Sequence, residues 1–440
     1  MRNISIRGFK SIFDEQNIRL AAITLLSGAN SSGKSSALQP LLLMKQTIES
    51  QYDPGILLLD GANAKFTSID QILSKRSGAD PVDDFAVRFG DDKGWSLEAS
   101  FKRRSEGGVA SSGAILRTAQ GFELKYWDGW TGDYRQYAEK LDVDRQFRPL
   151  VEQFLKQDKS RVRLSGKVAR CFPDIMLEIA FGESNAPSLY PVQVLPYLTE
   201  VRRVLSNLIH IRGLRGNPER SYRATAKSKR GFPGAFEDYV ASVLLEWQSE
   251  HDNRLNEIGN DLRDLGLSWK ISPKRIEDTQ VEIRVGRLEV PAQGGAKDLV
   301  SLADVGLGVS QILPLLVALR VAKKGQIVLV EQPEIHLHPR AQYALGEIVV
   351  KAVKRGIQII IETHSSVLLR ALQTQVAKKV LKQDQLALNW FTRDPNTGAT
   401  KVTAAEPDEL GRYGEWPVDF EDVSLEADRV YLDSVSERLG

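Results

Sequence analysis

The chain has 440 residues, 42% hydrophobic and 26% charged. That length and composition provide for two or three lobes with their own cores and exclude a disordered tail protein. Lys and Arg number 59 against 57 Asp and Glu, a net charge of +2, so the overall positive field of a nucleic-acid coat protein is excluded and any such contact must be local. Cys171 is the single cysteine, which excludes an internal disulfide and a cysteine-built zinc cage and makes a reducing compartment, the cytoplasm, the expectation.

Met1 leads directly into the alternating stretch Ile4 to Phe9 with no signal-peptide pattern. The most apolar runs, 312–319 and 357–361, fall far short of the roughly 20 residues of a membrane span, so no membrane partner is expected. The pattern becomes continuously apolar up to Leu26, which predicts a buried strand, then a Gly-rich loop and a helix around Ser36 to Met44, slightly kinked at Pro40. The loop, Gly28 through Asn30, Ser31, Ser32, Gly33, Lys34 and Ser35, satisfies G-x-x-x-x-G-K-[ST] in its proper strand–loop–helix context. Glycines let backbone N–H groups, through Ser36, wrap phosphate oxygens. Lys34 is a point charge for the β and γ phosphates, and the Ser35 hydroxyl reaches Mg²⁺. The expected ligand is a nucleoside triphosphate, ATP with Mg²⁺.

Alternating segments between Phe85 and Tyr126 predict antiparallel strands, and helical spacing appears over 137–155, 192–209 and 236–265. Arg212, Arg215, Arg220, Arg223, Lys227, Lys229 and Arg230 crowd one segment with a single acid, Glu219, and Tyr222. This patch is a solvated loop, a set of arginines serving the nucleotide's phosphates, or a DNA or RNA contact. Gly306, Gly308, Ser310 and Gln311 form a Gly-rich turn before the apolar 312–319, where Ser310 is either a cap or part of a phosphate-facing helix start. Ile327 to Val330 is a short buried strand ending in Glu331, the expected Mg²⁺-side carboxylate, followed by Gln332, Pro333, Glu334, His336, His338 and Pro339. A second buried strand, to Ile361, precedes Glu362, Thr363 and His364, which places His364 toward a γ-phosphate. The acids Asp419, Glu421 and Asp422 lack the framework of a Toprim-type nuclease, so cleavage chemistry is assigned to a partner. Strands alternating with helices predict an α/β fold with a parallel sheet.

The order of P-loop, signature turn, acid strand and switch histidine resembles the ABC-type ATPase heads of the structural-maintenance and overcoming-lysogenization-defect groups. On that pattern His338-Pro339 stands at the D-loop, and Gly306 to Gln311 replaces the signature. More narrowly, the run Glu331 to Pro339, the segment His210 to Arg215 with Pro218 and Tyr222, and Glu415-Trp416-Pro417 resemble a branch of prokaryotic ATPases often found beside nucleases in anti-phage operons, the ATPase subunit of Septu defence being the nearest named system. The resemblance covers both ends and much of the last 230 residues; 76–190 matches no named module. It implies a split P-loop head of ABC type with an antiparallel β subdomain and a mixed α/β insert. The expected parts are 1–75 with the P-loop, 76–285 as β subdomain and mostly helical insert, 286–385 with signature, acid strand and histidine, and 386–440 as a small C-terminal domain. It also implies a sensor or regulator that forms an ATP-dependent homodimer or higher oligomer and works with a nuclease encoded nearby. Most such heads carry a water-polarising glutamate where this chain has Gln332, whose amide cannot take a proton. Slow hydrolysis follows, with Glu334 or Glu362 as substitute base. A transporter's ATPase subunit and an ATP-holding module without turnover remain the alternatives.

Overall fold

The apolar runs that end in Glu331 and Glu362 become central strands of a six-stranded sheet. Its order is Ile209–Ile211, Ile327–Glu331, Gln358–Glu362, Ile23–Gly28, Leu386–Arg393, Thr400–Ala405. The first five run parallel, and Thr400–Ala405 is antiparallel at the edge. The computed structural model describes residues 1–75, 80, 82–137, 139–141, 151–153, 156, 160–181, 188–190, 196–213, 215–225, 231–288, 298–414, 429–433 and 435.

Continuous rather than alternating hydrophobicity follows from burial of both sheet faces. Ile23, Leu25, Val328, Val330, Ile359 and Ile361 join one core, shared with the helices Leu307–Val321, Pro339–Val353 and Ser366–Ala377. Leu26, Ile327, Leu329 and Ile360 point into a second core, against Leu38, Leu41 and Leu42 of the helix Lys34–Glu49, which continues through Pro40. That second core extends into an antiparallel sheet ordered Gln16–Arg19, Asn3–Arg7, Asp84–Gly90, Ser96–Arg103, Val109–Arg117, Glu123–Tyr126.

Two of the expected boundaries cut through hydrogen-bonded sheets. Asn3–Arg7 pairs with Asp84–Gly90, so a division at residue 75 crosses one sheet. Leu386–Arg393 lies beside the P-loop strand, with Leu388 opposite Leu25, so the start of the expected C-terminal domain belongs to the head sheet. The unnamed stretch beyond Tyr126 contributes a hairpin, Ser160–Ala169 with Phe172–Phe181, flanked by Thr131–Asp133 and Ser188–Tyr190. Helices follow at Pro196–Ser206, Val240–Ser249 and Arg254–Asp264, where the spacing places them. Most of the helix expected over 137–155 lies outside the described residues; a single turn, Tyr134–Tyr137, precedes it. Among the described residues no helix is long and apolar enough to cross a membrane.

Candidate nucleotide site

The loop after Ile23–Gly28 is pressed from one side by the strands Leu386–Arg393 and Thr400–Ala405, and glycine is what fits there. A Cβ on Gly28 (φ 146°) would lie 2.2 Å from the Phe391 carbonyl oxygen, and one on Gly33 (φ 104°) 2.2 Å from Thr400 Oγ1. Gly33 caps the helix Lys34–Glu49 without a side-chain hydrogen bond, and the first turn holds no acidic residue. The amides of that turn therefore form an anion site with no competing carboxylate in the turn itself. Lys34 Nζ donates to the carbonyls of Gly28 (2.9 Å) and Ala29 (2.8 Å). Burial lowers its pKa, opposed by the charges of Glu362 and Glu334.

A cavity of about 400 Å³ opens over this helix start. It brings together Asn30, Ser31, Gly33, Lys34, Ser35 and Ser36 with Gln332, Glu362 and His364. Ser32 is buried behind the loop, its carbonyl accepting from Thr400 Oγ1 at 2.8 Å. Lys10, Ser11 and Arg393 also line the cavity. No motif marks these three; Lys10 and Ser11 lie in the turn after Asn3–Arg7, with Ser11 hydrogen-bonded to Thr400, and Arg393 ends the strand beside the P-loop strand, its Nη1 reaching the Ser31 carbonyl at 3.4 Å.

The carboxylates divide between the cavity and the wall behind it. Ser35 Oγ donates to Glu362, at 3.0 and 3.1 Å from its two oxygens. Burial and then the neighbouring Glu331 charge push the Glu362 carboxyl up to about 7. Glu331, its register partner, lies outside the cavity lining. Its Oε1 is 3.0 Å from His210 Nε2 and its Oε2 accepts from the Gly213 amide at 3.1 Å. Burial opposes its ionisation, but His210, the Gly213 amide and Arg215 outweigh that and hold the carboxyl below its usual range. Glu334 accepts from the His364 amide at 2.7 Å, outside the cavity lining, and burial raises its pKa. Burial, then Lys34, lowers the pKa of His364, whose ring is neutral at pH 7.

Gln332 adopts a left-handed backbone (φ 43°), and its amide donates to the Glu362 carbonyl at 2.7 Å. Such a conformation costs on the order of 1 kcal/mol and is held here by the sheet edge. His338 caps the helix Pro339–Val353, its side chain accepting from the Arg340 amide.

The turn expected to serve as signature lies apart from the P-loop cavity. Gly306 caps the helix Leu307–Val321, with Gly308 in its first turn. Ser310 Oγ donates to the Leu307 carbonyl and Gln311 Nε2 to that of Gly216, both residues lining a separate small pocket with Arg215 and Tyr222. The basic segment is split as well. Arg215 turns inward, donating to the carbonyls of Gln311 and Glu331, and Arg212 lies beside Glu237 at 3.6 Å. Arg220 pairs with Asp304 at the surface, and Arg223 is exposed. Lys227, Lys229, Arg230, Glu415, Trp416, Pro417, Asp419, Glu421 and Asp422 lie outside the described residues.

Mg²⁺ takes hard oxygen ligands and is commonly bound by one or two carboxylates with substrate phosphates. The Ser35 hydroxyl beside Glu362 in the cavity is such a donor pair and fits the ion, while Glu331, on the strand next to Glu362, stands behind the lining.

Three solved structures match the chain at low identity. The Smc head bound to the C-winged helix domain of ScpA is 12% identical, with 92% of this chain and 97% of that one covered and a TM-score of 0.46. The SMC head domain from Thermotoga maritima is 10% identical, with coverages of 91% and 97% and a TM-score of 0.40. The Smc head with an extended coiled coil, bound to the C-terminal domain of ScpA derived from Pyrococcus furiosus, is 11% identical, with 99% of both chains covered and a TM-score of 0.39. Among the curated proteins none matches. The family described as "AAA domain, putative AbiEii toxin, Type IV TA system" matches residues 23–370, from the first residue of the P-loop strand past His364. The chain belongs to that family of AAA-type P-loop ATPase domains.

Proposed function

We propose that the chain is an ABC-type head that binds ATP, hydrolyses it slowly and uses the bound nucleotide to regulate a partner. The observation that carries this is the helix start without a side-chain cap, with Lys34 and Ser35 under one cavity that also holds Glu362 and His364. The amides of residues 30–36 bind phosphate oxygens, and Lys34 exchanges two loop carbonyls for the β and γ phosphates. Ser35 and Glu331 would hold Mg²⁺, with Glu362 beside Ser35; the ion would neutralise phosphate charge. The neutral His364 ring donates to the γ-phosphate.

Glu362 is the better placed substitute base, because it lines the cavity and Glu334 does not. Glu362 takes a water proton only when ionised, above about pH 7, and Gln332 orients that water without accepting a proton. The separation of Ser310 and Gln311 from the chain's own P-loop supports a composite site, in which each signature turn faces a second copy's triphosphate. Anti-phage defence with a nuclease partner, as in Septu, rests on the sequence resemblance, and DNA or RNA contact on Arg220 and Arg223. Gln332 favours, as second reading, a module that holds ATP without turnover.

Calorimetry with ATP and sedimentation with and without it test the proposal. Lys34→Ala should weaken ATP binding by about 100-fold, the loss of charge-assisted contacts worth about 3 kcal/mol. Wild type should self-associate with ATP. Unchanged affinity in folded Lys34→Ala would overturn the nucleotide site, and a strict monomer under ATP would overturn the composite site.

A further inference from the structure

His210 is a buried side chain in the middle of Ile209–Ile211, the strand next to the acid strand. Its ring bridges two groups, with Nε2 3.0 Å from Glu331 Oε1 and Nδ1 3.2 Å from Asn63 Oδ1. We propose that His210 is a positioning residue for Glu331, fixing the carboxylate against the helix that begins at the P-loop. This inference rests on the reading that Glu331 serves the nucleotide's cation.

An imidazole N–H donates and a carboxyl oxygen accepts, so the placement of the ring aims Nε2 at Glu331 Oε1 and leaves Nδ1 to Asn63. With Asn63 Oδ1 toward the ring, Asn63 Nδ2 is buried without a partner; with the amide turned over, Nδ2 donates to Nδ1. The contact between Nε2 and Glu331 is the same in both arrangements.

Asn63 is itself held by the P-loop helix. Gln46 accepts from the amides of Asn63 (3.2 Å) and Ala64 (2.9 Å) and donates to the carbonyls of Leu58 (2.7 Å) and Ala64 (3.0 Å). Thr47 accepts from the Leu58 amide at 2.8 Å. The buried polar pair Gln46 and Thr47 thus has a purpose inside an apolar helix: it shapes a loop whose tip holds the imidazole. A rigid line runs from the P-loop helix through Gln46, Asn63 and His210 to Glu331. The Gly213 amide on the second carboxylate oxygen and Arg215 on the Glu331 carbonyl complete the support.

The test uses the full chain and the Mg²⁺ concentration that half-maximally enhances ATP binding, with ATP affinity in EDTA as control. His210→Phe keeps a ring and removes both nitrogens; it should raise the Mg²⁺ requirement by about 10-fold or more, within the range for lost outer-shell partners, and leave affinity in EDTA unchanged. His210→Gln, whose amide can still donate, should stay within about 3-fold of wild type, a span of about 0.7 kcal/mol. Glu331→Gln should act in the same direction as His210→Phe, and the double variant should add nothing, the mark of one shared interaction. A shift with Glu331→Gln but none with folded His210→Phe overturns the proposal and leaves the Glu331 reading standing. No shift with Glu331→Gln overturns that reading and the proposal with it. Should His210→Phe fail to fold, Asn63→Leu carries the test, with a smaller rise expected; an unchanged Mg²⁺ requirement there overturns the line.

Discussion

The strand ends at Glu331 and Glu362 are hydrogen-bonded neighbours in one parallel sheet, yet their carboxyls are pushed in opposite directions. Around Glu331 the chain places an imidazole, a backbone amide and a nearby guanidinium, which favour the charged form. Around Glu362 it places a deeper burial and the Glu331 charge alongside, against one hydroxyl and the charge of Lys34. Two like charges in a poorly solvated wall cannot both ionise cheaply, so the carboxyl with fewer donors keeps its proton. Glu331 holds its charge before any ligand arrives, and the carboxyl that ionises only through about pH 7 is the one that touches Ser35.

Removing the fixed charge breaks this contrast most severely. Glu331→Gln should lower steady-state ATP turnover by about 100-fold, the scale of one lost electrostatic contact in a transition state, with nucleotide affinity in EDTA near wild type. Turnover within a few-fold of wild type would move the essential acid to Glu362. The converse change acts on stability. A carboxyl with a raised folded pKa keeps a proton that the unfolded chain has released, so its contribution falls as pH rises from 4.5 through about 7 and stays lost above. Glu362→Gln should therefore raise the melting temperature of the nucleotide-free protein at pH 8 by about 2–5 °C, a gain of order 1–2 kcal/mol. At pH 4.5 or below the gain should vanish. An equal gain at both pH values would mean that packing rather than ionisation sets the effect.

The sequence made the P-loop, the buried strands and the helices over 196–264 legible because their signals are local: glycine spacing, unbroken apolar runs and helical period. The contrast between the two glutamates was not legible, because each depends on contacts across more than a hundred residues. Ser35 meets Glu362 at a separation of 327 residues, and His210 meets Glu331 at 121 and Asn63 at 147. His210 stood out only within a family resemblance, and Gln46 and Asn63 not at all, since a buried amide looks in sequence like any helix or loop polar residue. Arg215 shows the opposite error of scale. Its charge belongs to a basic run in the sequence, while its guanidinium serves two backbone carbonyls beside the acid strand. Leu386–Arg393 looked like the start of another domain because nothing local records that it pairs with a strand more than 350 residues earlier.

Gln332 offers the finest adjustment of the same contrast. It follows Glu331 in the chain, it is among the residues that line the cavity with Glu362, and its left-handed backbone is tied to the Glu362 carbonyl. Gln332→Glu would set a third carboxyl at this sheet edge, with two consequences of opposite sign. A carboxylate beside the water site can accept a proton, which an amide cannot, so turnover should rise by about 3- to 10-fold at pH 8, a modest share of what a well-placed base contributes. The added charge also disfavours ionisation of Glu362 still further, so the nucleotide-free protein should lose about 1 kcal/mol at pH 8 and little at pH 5. Steady-state turnover and thermal unfolding at the two pH values read both effects. Loss of stability with no gain in rate would confine Gln332 to holding the loop. A wild-type rate that is already fast, and indifferent to both Gln332→Glu and Glu362→Gln, would place the base on another residue and remove the slow-switch reading, because the proton would then leave the water by a route that uses neither strand end.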